Sequence, residues 1–333
     1  MNIRPRSTRE GRTKLCEKVP LDTPYVLGIY TGDVCNFKCV YCAQTIESSR
    51  GGQLRHQFMN WDTFEKAVLS LKEFPRTIKK CIFSSIGEPL LHKDLPRMIH
   101  FIKELGVVDS IEVVTNGALL THSLSEALVN SGLNRLVVSI QGITAKSYQR
   151  ISKVNIDFSN LVRELAYFFS ISRGNCLLHI KTVDLALNEG ESEEFFKLFS
   201  SIADTIFVDR VIEAFQGVDY TGLISDHTRT LYGNKALYRL VCPTVFYTLY
   251  VLSNGDVTTC CSPPYPLILG NVYNTGLREL WLGKNRTDFL RLQLKGKRLS
   301  HVICKGCIQP FATAFPEDNL DENRLQILKR LGR

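Results

Sequence analysis

Three cysteines stand close together near the start of the chain, at positions 35, 39 and 42. Their C-x3-C-x2-C spacing puts three thiols on one short loop. A [4Fe–4S] cube takes four ligands, usually thiolates, so three cysteines leave one iron with an open coordination position. Such an open position distinguishes catalytic from structural metal sites, because substrate or cosubstrate binds there. Cys35, Cys39 and Cys42 are therefore predicted to hold a cluster that takes part in chemistry.

Four further cysteines form a second set in the last third of the chain. Cys242 and Cys260 flank two β-type runs joined by an Asn-Gly pair at 254–255, which is a strong hairpin signal. The hairpin would bring these two thiols together, and Cys304 and Cys307 follow as a C-x2-C pair. Four thiolates of this kind suit either zinc or an iron–sulfur cluster.

The first set, with Tyr41 before its last cysteine, resembles the signature of the radical S-adenosylmethionine (radical SAM) superfamily. The match continues along almost the whole chain. In that family the open iron chelates SAM, and an electron from the cluster cleaves SAM to a 5′-deoxyadenosyl radical. The resemblance implies a SAM-binding [4Fe–4S] cluster on Cys35, Cys39 and Cys42. A zinc site or buried thiols are the alternative.

Three loop motifs resemble the SAM-contacting loops of this family. Gly87-Glu88-Pro89 is similar to the motif that holds the SAM amino group, although Ile86 replaces its usual first glycine. Thr115-Asn116-Gly117 resembles a segment near the ribose. Ser139 stands where the family often has a serine that contacts the ribose or the methionine carboxylate, with Gln141 in place of the usual acid. Asn-Gly and Gln-Gly after strands could also be plain turns.

The second set continues the resemblance. Gly255 five residues before Cys260, then Gly-Asn-Val at 270–272 and Leu-x-x-x-Trp at 277–281, are similar to the SPASM/twitch extension of radical SAM enzymes. A full SPASM domain has further cysteines after the C-x2-C pair, and none follows Cys307. The resemblance implies the twitch form, with one auxiliary [4Fe–4S] cluster or, alternatively, zinc. Its ligands would be Cys242, Cys260, Cys304 and Cys307.

Cys261 is left over beside Cys260. It is interpreted either as a structural thiol or alternative ligand, because cysteine is often a small buried hydrophobe, or as a hydrogen-atom donor to a substrate radical. The second interpretation would make the protein an epimerase.

The elements that must position these residues alternate between strands and helices. Strands are predicted at residues 25–30, 81–84, 111–115, 136–140, 177–183 and 205–211. Helices are predicted at residues 61–71, 95–105, 123–130, 158–172 and 191–201, with Asn60 as the first N-cap. This alternation implies a parallel sheet with right-handed crossovers. Lys181, at the end of the fifth strand, would pair with the SAM carboxylate or lie on the surface.

The resemblance implies an α/β fold: a partial (βα)6 barrel with its site at the carboxyl ends of the strands, followed by a small hairpin-plus-helix domain. The expected segments follow from this order. They are a basic leader at 1–20, the barrel at 21–215, a linker at 216–241, the auxiliary-cluster domain at 242–315 and a tail at 316–333.

Composition narrows the class of protein. Eleven cysteines in 333 residues are too sparse for a disulfide scaffold, and two patterned sets indicate metal in a reducing compartment. Without a secretory signal or an apolar run of about 20 residues, a cytoplasmic protein with no membrane partner is expected. The net charge of +8 is concentrated in residues 1–18 and 278–333, which could attract an anionic substrate or form a solvated surface. No nucleic-acid partner is expected.

These features predict an enzyme that abstracts a hydrogen atom from a substrate C–H bond. A fully ligated auxiliary cluster can only pass electrons, so net dehydrogenation is expected. The resemblance implies a sugar- or cyclitol-like substrate and a flavodoxin- or ferredoxin-type electron donor. The 34 residues before Cys35 are too few for the leader-peptide domain of many peptide-modifying relatives. The alternatives are maturation of a ribosomal peptide, by crosslinking or by epimerisation with Cys261 as hydrogen donor, and a non-catalytic iron–sulfur protein.

Overall fold

Nine strands form one open sheet in the computed structural model, which describes residues 2–46, 56–84 and 86–332. The strands are β1 Val26–Ile29, β2 Lys80–Phe83, β3 Ile111–Thr115, β4 Arg135–Ser139, β5 Leu177–Val183, β6 Thr205–Asp209, β7 Thr248–Val251, β8 Asp256–Thr258 and β9 Gly270–Asn271. Their spatial order is β6-β5-β4-β3-β2-β1-β7-β8-β9. Within the described residues the sheet has two edge strands, β6 and β9, and does not close, so the predicted partial barrel is confirmed.

The six barrel strands pair in parallel, as the alternation of elements predicted. β7 then pairs in parallel with β1, and β8 and β9 add two antiparallel partners. The hairpin that follows Cys242 therefore extends the barrel sheet beyond β1.

Helices connect the strands and cover one face of the sheet. They are α1 Leu15–Lys18, α2 Trp61–Leu69, α3 Leu95–Leu105, α4 His122–Asn130, α5 Ala145–Ile151, α6 Phe158–Ser172, α7 Glu191–Phe199, α8 Leu277–Leu282, α9 Lys284–Leu294, α10 Gln309–Ala312 and α11 Arg324–Leu331. Asn60 caps α2 as predicted, since its side chain accepts from the Thr63 N–H. The sequence pattern missed α5, a short helix capped by the Thr144 side chain.

Alternating residues give the barrel strands two different faces. On β5, Leu178 and Ile180 are fully buried in the apolar core, whereas His179 and Lys181 point to the opposite, inner face. Burial lowers the pKa of His179 to about 3, and nearby positive charges act in the same direction. The inner face is therefore polar and carries the charged groups of the barrel.

Glu112 is the centre of charge on this inner face. Its side chain is 1% exposed and is bound by Arg6, with Lys80 Nζ at 3.5 Å and an Arg135 nitrogen at 3.7 Å. Burial raises the pKa of Glu112, but the charges of Arg6, Lys80 and Arg135 outweigh it and leave the pKa at about 2. One carboxylate thus holds together three cations from three parts of the chain.

The first residues of the chain cross the barrel from one edge of the sheet to the C-terminal segment. Ile3 bridges to Ile206 in β6, and Arg6 reaches Glu112. Further on, the Arg12 guanidinium lies 2.9 Å from Asp318 and 3.9 Å from the centre of the Phe315 ring. None of the helices in the described ranges has the length and apolar character needed to cross a bilayer.

Glu112→Gln tests the charge cluster. Because the pKa of Glu112 falls from about 4.5 to about 2 on folding, the carboxylate contributes about 3 kcal/mol to the free energy of unfolding at pH 7. This contribution is complete above pH 4.5 and is lost as the pH falls toward 2. Urea denaturation between pH 7 and pH 3 should show a large loss for the variant at pH 7 that shrinks toward pH 3. Asp62→Asn, which removes an exposed pair with Lys66, is the control and should change little.

Candidate active site and auxiliary metal centre

The loop that carries the first three cysteines follows β1 and is fixed against the end of α5. The backbone N–H groups of Lys38 and Val40 donate to the carbonyls of Ser152 and Ile151 at 3.0 and 2.9 Å. The missed helix α5 therefore supports the cluster loop. The structure places Cys35, Cys39 and Cys42 near one another, because charge on Cys35 or on Cys42 raises the pKa of Cys39.

Burial dominates the chemistry of these thiols. It raises the pKa of Cys35 to about 11, and it raises the pKa values of Cys39 and Cys42 as well. Such thiols are protonated at neutral pH, whereas metal ligation requires thiolates. Binding of a cationic iron–sulfur core is what would make their deprotonation favourable.

Glu88 joins the loops at the ends of β2 and β3. Its carboxylate accepts hydrogen bonds from the Thr115 hydroxyl at 2.5 Å, the Asn116 N–H at 2.7 Å and the Leu90 N–H at 2.9 Å. Burial raises its pKa to about 7 despite these three donors. With its oxygens bound in this way, Glu88 positions the backbone of the Gly87-Glu88-Pro89 and Thr115-Asn116-Gly117 loops.

Gly87 lies against the backbone that leads into the cluster loop. A Cβ at this position would come within 2.5 Å of the Val34 carbonyl and 2.7 Å of the Gly32 carbonyl. The next residue donates its N–H to the Val34 carbonyl at 2.8 Å. On the same side, the Gln44 amide donates to the carbonyls of Asp33 and Ile86 at 2.7 and 3.1 Å. The loop after β2 and the cluster loop are thus held as one unit.

The other predicted SAM contacts surround this unit. Asn116 donates to Asn36, between the first two cysteines, at 2.7 Å. The Tyr41 hydroxyl donates to Gln141 at 2.6 Å, and the Gln141 amide in turn donates to the Ser139 carbonyl at 3.1 Å. Motifs that are far apart in sequence are therefore adjacent around the first cysteine set.

Lys181 has a partner within the protein. Its Nζ lies 2.5 Å from the Asp209 carboxylate, at the neighbouring end of β6. The side chain is therefore neither a free surface lysine nor an unpaired cation.

The second cysteine set comes together at the start of β7. Burial, together with charge on Cys260 and Cys307, raises the pKa values of Cys242 and Cys304 to about 12. The pKa of Cys260 is also raised well above its usual range, chiefly by a hydrogen bond with Cys261 and by burial. All four thiols interact electrostatically, so the predicted hairpin and C-x2-C pair do converge.

Two buried polar side chains lie beside these thiols. Arg298 is 1% exposed and donates to the carbonyls of Cys304 at 2.8 Å and Cys307 at 3.2 Å. Gln293 is fully buried, and its side-chain oxygen accepts from the Cys242 N–H at 3.2 Å. Arg298 Nε has no hydrogen-bond acceptor. The Gln293 side chain also lies beside the Cys304 thiol, and its hydrogen bond there acts to lower the pKa of that thiol.

The thiol-only donor set and these two buried donors fit an iron–sulfur cluster, whose sulfurs accept hydrogen bonds. Within residues 2–46, 56–84 and 86–332, no three His, Cys, Asp or Glu side chains converge on a single ion. In an iron–sulfur cube each cysteine binds a different iron.

A cavity of about 530 Å³ lies on the inner face of β1, β2 and β7. Cys261 lines it, next to the auxiliary thiol Cys260, together with Arg6, Lys80 and Tyr250. The Tyr30 hydroxyl, just after β1, donates to the Cys261 carbonyl. The cavity therefore adjoins the auxiliary hairpin, and Tyr30 ties that hairpin to the strand that leads into the cluster loop.

Sequence reasoning missed most of the residues that organise the two centres. Glu112 did carry a signal, because a carboxylate inside the apolar run of β3 must find a partner when it is buried. No such signal in the sequence marks Gln44, Gln293 or Arg298, since each lies in a polar stretch that is typical of a surface.

A family model of the radical SAM superfamily matches residues 29–198, about half of the chain. A second model, described as an iron–sulfur cluster-binding domain, matches residues 242–308. Among curated proteins, a probable GTP 3′,8-cyclase of Methanococcus vannielii is 32% identical over 173 residues, which are 52% of this chain and 54% of that protein. The GTP 3′,8-cyclase of Staphylococcus saprophyticus is 32% identical over 142 residues, covering 42% of this chain and 40% of that protein. This chain thus spans about half the length, or less, of these relatives.

Solved structures share the fold at low identity. Streptococcus suis SuiB bound to S-adenosylmethionine matches with a TM-score of 0.61 and 16% identity, covering 91% of this chain and 79% of that one. BtrN in complex with AdoMet and 2-DOIA matches with a TM-score of 0.54 and 16% identity, covering 85% and 92%. The cofactors implied by both family models are SAM and [4Fe–4S] clusters. This chain belongs to the radical SAM superfamily and carries a C-terminal SPASM-type iron–sulfur domain.

Proposed function

We propose that this radical SAM enzyme is an oxidoreductase that dehydrogenates a small sugar- or cyclitol-like substrate. The observation that carries the proposal is the hydrogen bond from the Tyr30 hydroxyl to the Cys261 carbonyl, because it joins the strand that leads into the cluster loop to the hairpin of the auxiliary cysteines. Cys261 also lines the cavity. A substrate in the cavity would lie beside Cys261 on the auxiliary hairpin. The proposed segments remain a leader at 1–20, a barrel at 21–215, a linker at 216–241, an auxiliary domain at 242–315 and a tail at 316–333.

The residues around the first set have assigned roles in this proposal. Cys35, Cys39 and Cys42 would hold the SAM cluster, with Tyr41 packed beside them. The backbone of the Gly87-Glu88-Pro89 loop would bind the SAM amino group, positioned by the Glu88 carboxylate. Thr115-Asn116-Gly117 and Ser139 would lie near the ribose. Lys181, which is paired with Asp209, would contact the SAM carboxylate.

When bound, SAM and the two clusters would supply a 5′-deoxyadenosyl radical that takes one hydrogen atom and an acceptor for the second electron. The protein must hold the substrate and remove one proton. The electron that cleaves SAM would come from a flavodoxin- or ferredoxin-type donor in the cytoplasm, and the electron released by the substrate balances it.

The charges around the cavity favour an anionic substrate. Arg6, Lys80 and Arg135 surround the single carboxylate of Glu112, which leaves a surplus of positive charge on the inner face. The relatives named GTP 3′,8-cyclase carry in their name a nucleotide that combines a sugar with phosphates. We therefore include phosphorylated sugars and nucleotides in the proposed substrate class.

The proposal is tested by anaerobic reconstitution with iron and sulfide. We expect about eight irons per chain, and about four when Cys35, Cys39 and Cys42 are replaced by alanine or when Cys304 and Cys307 are. With dithionite and SAM, the wild type should release 5′-deoxyadenosine faster with one member of a panel of sugars, sugar phosphates and GTP. The product of that member should lack two hydrogen atoms. A chain that releases no 5′-deoxyadenosine under any condition would instead be a non-catalytic iron–sulfur protein.

Gly87→Ala tests the proposed SAM loop. The added methyl group would meet two carbonyl oxygens, so the loop must move away from the cluster loop. The dissociation constant for SAM, measured by calorimetry on reconstituted protein, should rise about tenfold or more, which is about 1.4 kcal/mol. Iron at the auxiliary site should not change. Gly332→Ala, whose Cβ would find its nearest atom at 3.7 Å, is the control. Unchanged SAM affinity in Gly87→Ala would contradict the assignment.

A second candidate function is maturation of a ribosomal peptide, by crosslinking or by epimerisation, and the structure bears on epimerisation with Cys261 as hydrogen donor. Epimerisation is favoured by Cys261, which lines the cavity and hydrogen-bonds with Cys260. SuiB has also been solved bound to its precursor peptide. In this function the thiol would give a hydrogen atom to the substrate radical and become a thiyl radical. One electron from the flavodoxin- or ferredoxin-type donor and one proton from solvent would restore the thiol.

Cys261→Ala in deuterated water separates the two functions. The dehydrogenase proposal predicts the same oxidised product from variant and wild type, with no deuterium at the reacting carbon. The epimerase proposal predicts deuterium in the wild-type product and loss of epimerised product in the variant. Mass spectrometry of the product distinguishes these results, and Cys81→Ala, at a buried thiol within β2, is the control for general damage.

A further inference from the structure

Arg298 is a buried cation without a carboxylate partner. It takes part in none of the ion pairs formed by the described residues, and its guanidinium donates only to the carbonyls of Cys304, Cys307 and Arg239. Its Nε is buried and has no acceptor. A buried charge is costly unless it is paired, so this guanidinium calls for an anion nearby.

The four auxiliary cysteines would provide that anion. A [4Fe–4S] core with four thiolates carries net negative charge, and reduction adds one more electron. Gln293 adds a second buried N–H donor on the same side, because its oxygen accepts from the Cys242 N–H while its side chain also hydrogen-bonds with the Cys304 thiol. Positive charge and N–H donors beside a cluster are among the factors that set its reduction potential.

We propose that Arg298 is the positioning residue and counter-charge of the auxiliary cluster and, with Gln293, raises its reduction potential so that it accepts an electron. The inference rests on the proposed function, since it requires a cluster on Cys242, Cys260, Cys304 and Cys307. Arg298 acts in two ways. It holds the backbone of the C-x2-C pair through two carbonyls, and it stabilises the more negative, reduced state of the cluster.

The test is a redox titration of the auxiliary cluster, monitored by electron paramagnetic resonance. It uses the full chain with Cys35, Cys39 and Cys42 replaced by alanine, so that only the auxiliary cluster contributes to the signal. Arg298→Gln should make reduction less favourable by at least tenfold, a potential lower by about 59 mV for one electron. Arg298→Lys keeps the positive charge, so the reduction potential of its auxiliary cluster should stay close to the wild-type value. Gln293→Leu should shift the potential in the same direction as Arg298→Gln.

Arg286→Gln is the matched control. Arg286 is equally buried, also donates to two carbonyls, those of Trp281 and Phe246, and lacks a cysteine partner. Its substitution should leave the potential unchanged. A loaded cluster with the wild-type potential in Arg298→Gln overturns the inference. If the auxiliary site holds no iron even when Arg298 and Gln293 are intact, the proposed two-cluster function is overturned instead. If Arg298→Gln does not take up the auxiliary cluster, Arg298→Lys provides the test instead. A reduction potential in Arg298→Lys that is as low as that in Gln293→Leu would overturn the role of the positive charge.

Discussion

Parallel pairing between β1 and β7 holds the barrel and the auxiliary hairpin together in one sheet. The register joins Val26 to Thr248 and Gly28 to Tyr250, so the strand that leads into the cluster loop is hydrogen-bonded to the strand that follows Cys242. A Cβ at Gly28 would come within 2.1 Å of the Tyr250 ring, and only glycine allows this approach. Hydrogen bonds and ring packing together therefore set the spacing between the strand that leads into the cluster loop and the strand that follows Cys242.

The same sheet explains why charge accumulates on one face. Helices cover the apolar face, so residues at alternate positions of the barrel strands face inward, where polar groups can meet. Glu112 recruits Arg6 from the first residues of the chain and Lys80 and Arg135 from its two neighbouring strands. Arg6 and Lys80, two of the three cations around Glu112, also line the cavity. Charges that stabilise the barrel therefore also place positive charge on the cavity wall.

Local patterns in the sequence were sufficient for the strands and the cysteine motifs. The β-branched runs of β3, β4 and β5 and the fixed cysteine spacings are short-range signals, and the structure has each of these elements near its predicted bounds. The contacts that organise the site join distant segments. Arg6 and Glu112 are 106 positions apart, and Tyr30 and Cys261 are 231 apart, so no window of sequence contains both partners. Arg298 lies in a lysine-rich stretch that predicts a surface, and tertiary packing overrides that local preference.

The two cysteine sets differ in the charge placed beside them. The Glu88 carboxylate lies near enough to Cys35 to raise the pKa of that thiol beyond the effect of burial, whereas the Arg298 charge opposes burial at Cys304 and Cys307. A nearby negative charge disfavours the addition of an electron to a cluster, and a nearby positive charge favours it. This asymmetry would make the first cluster the stronger reductant and the second the better acceptor. In the proposed dehydrogenation, the Arg298 charge and the ionised form of Glu88 would both favour transfer of the substrate electron to the second cluster.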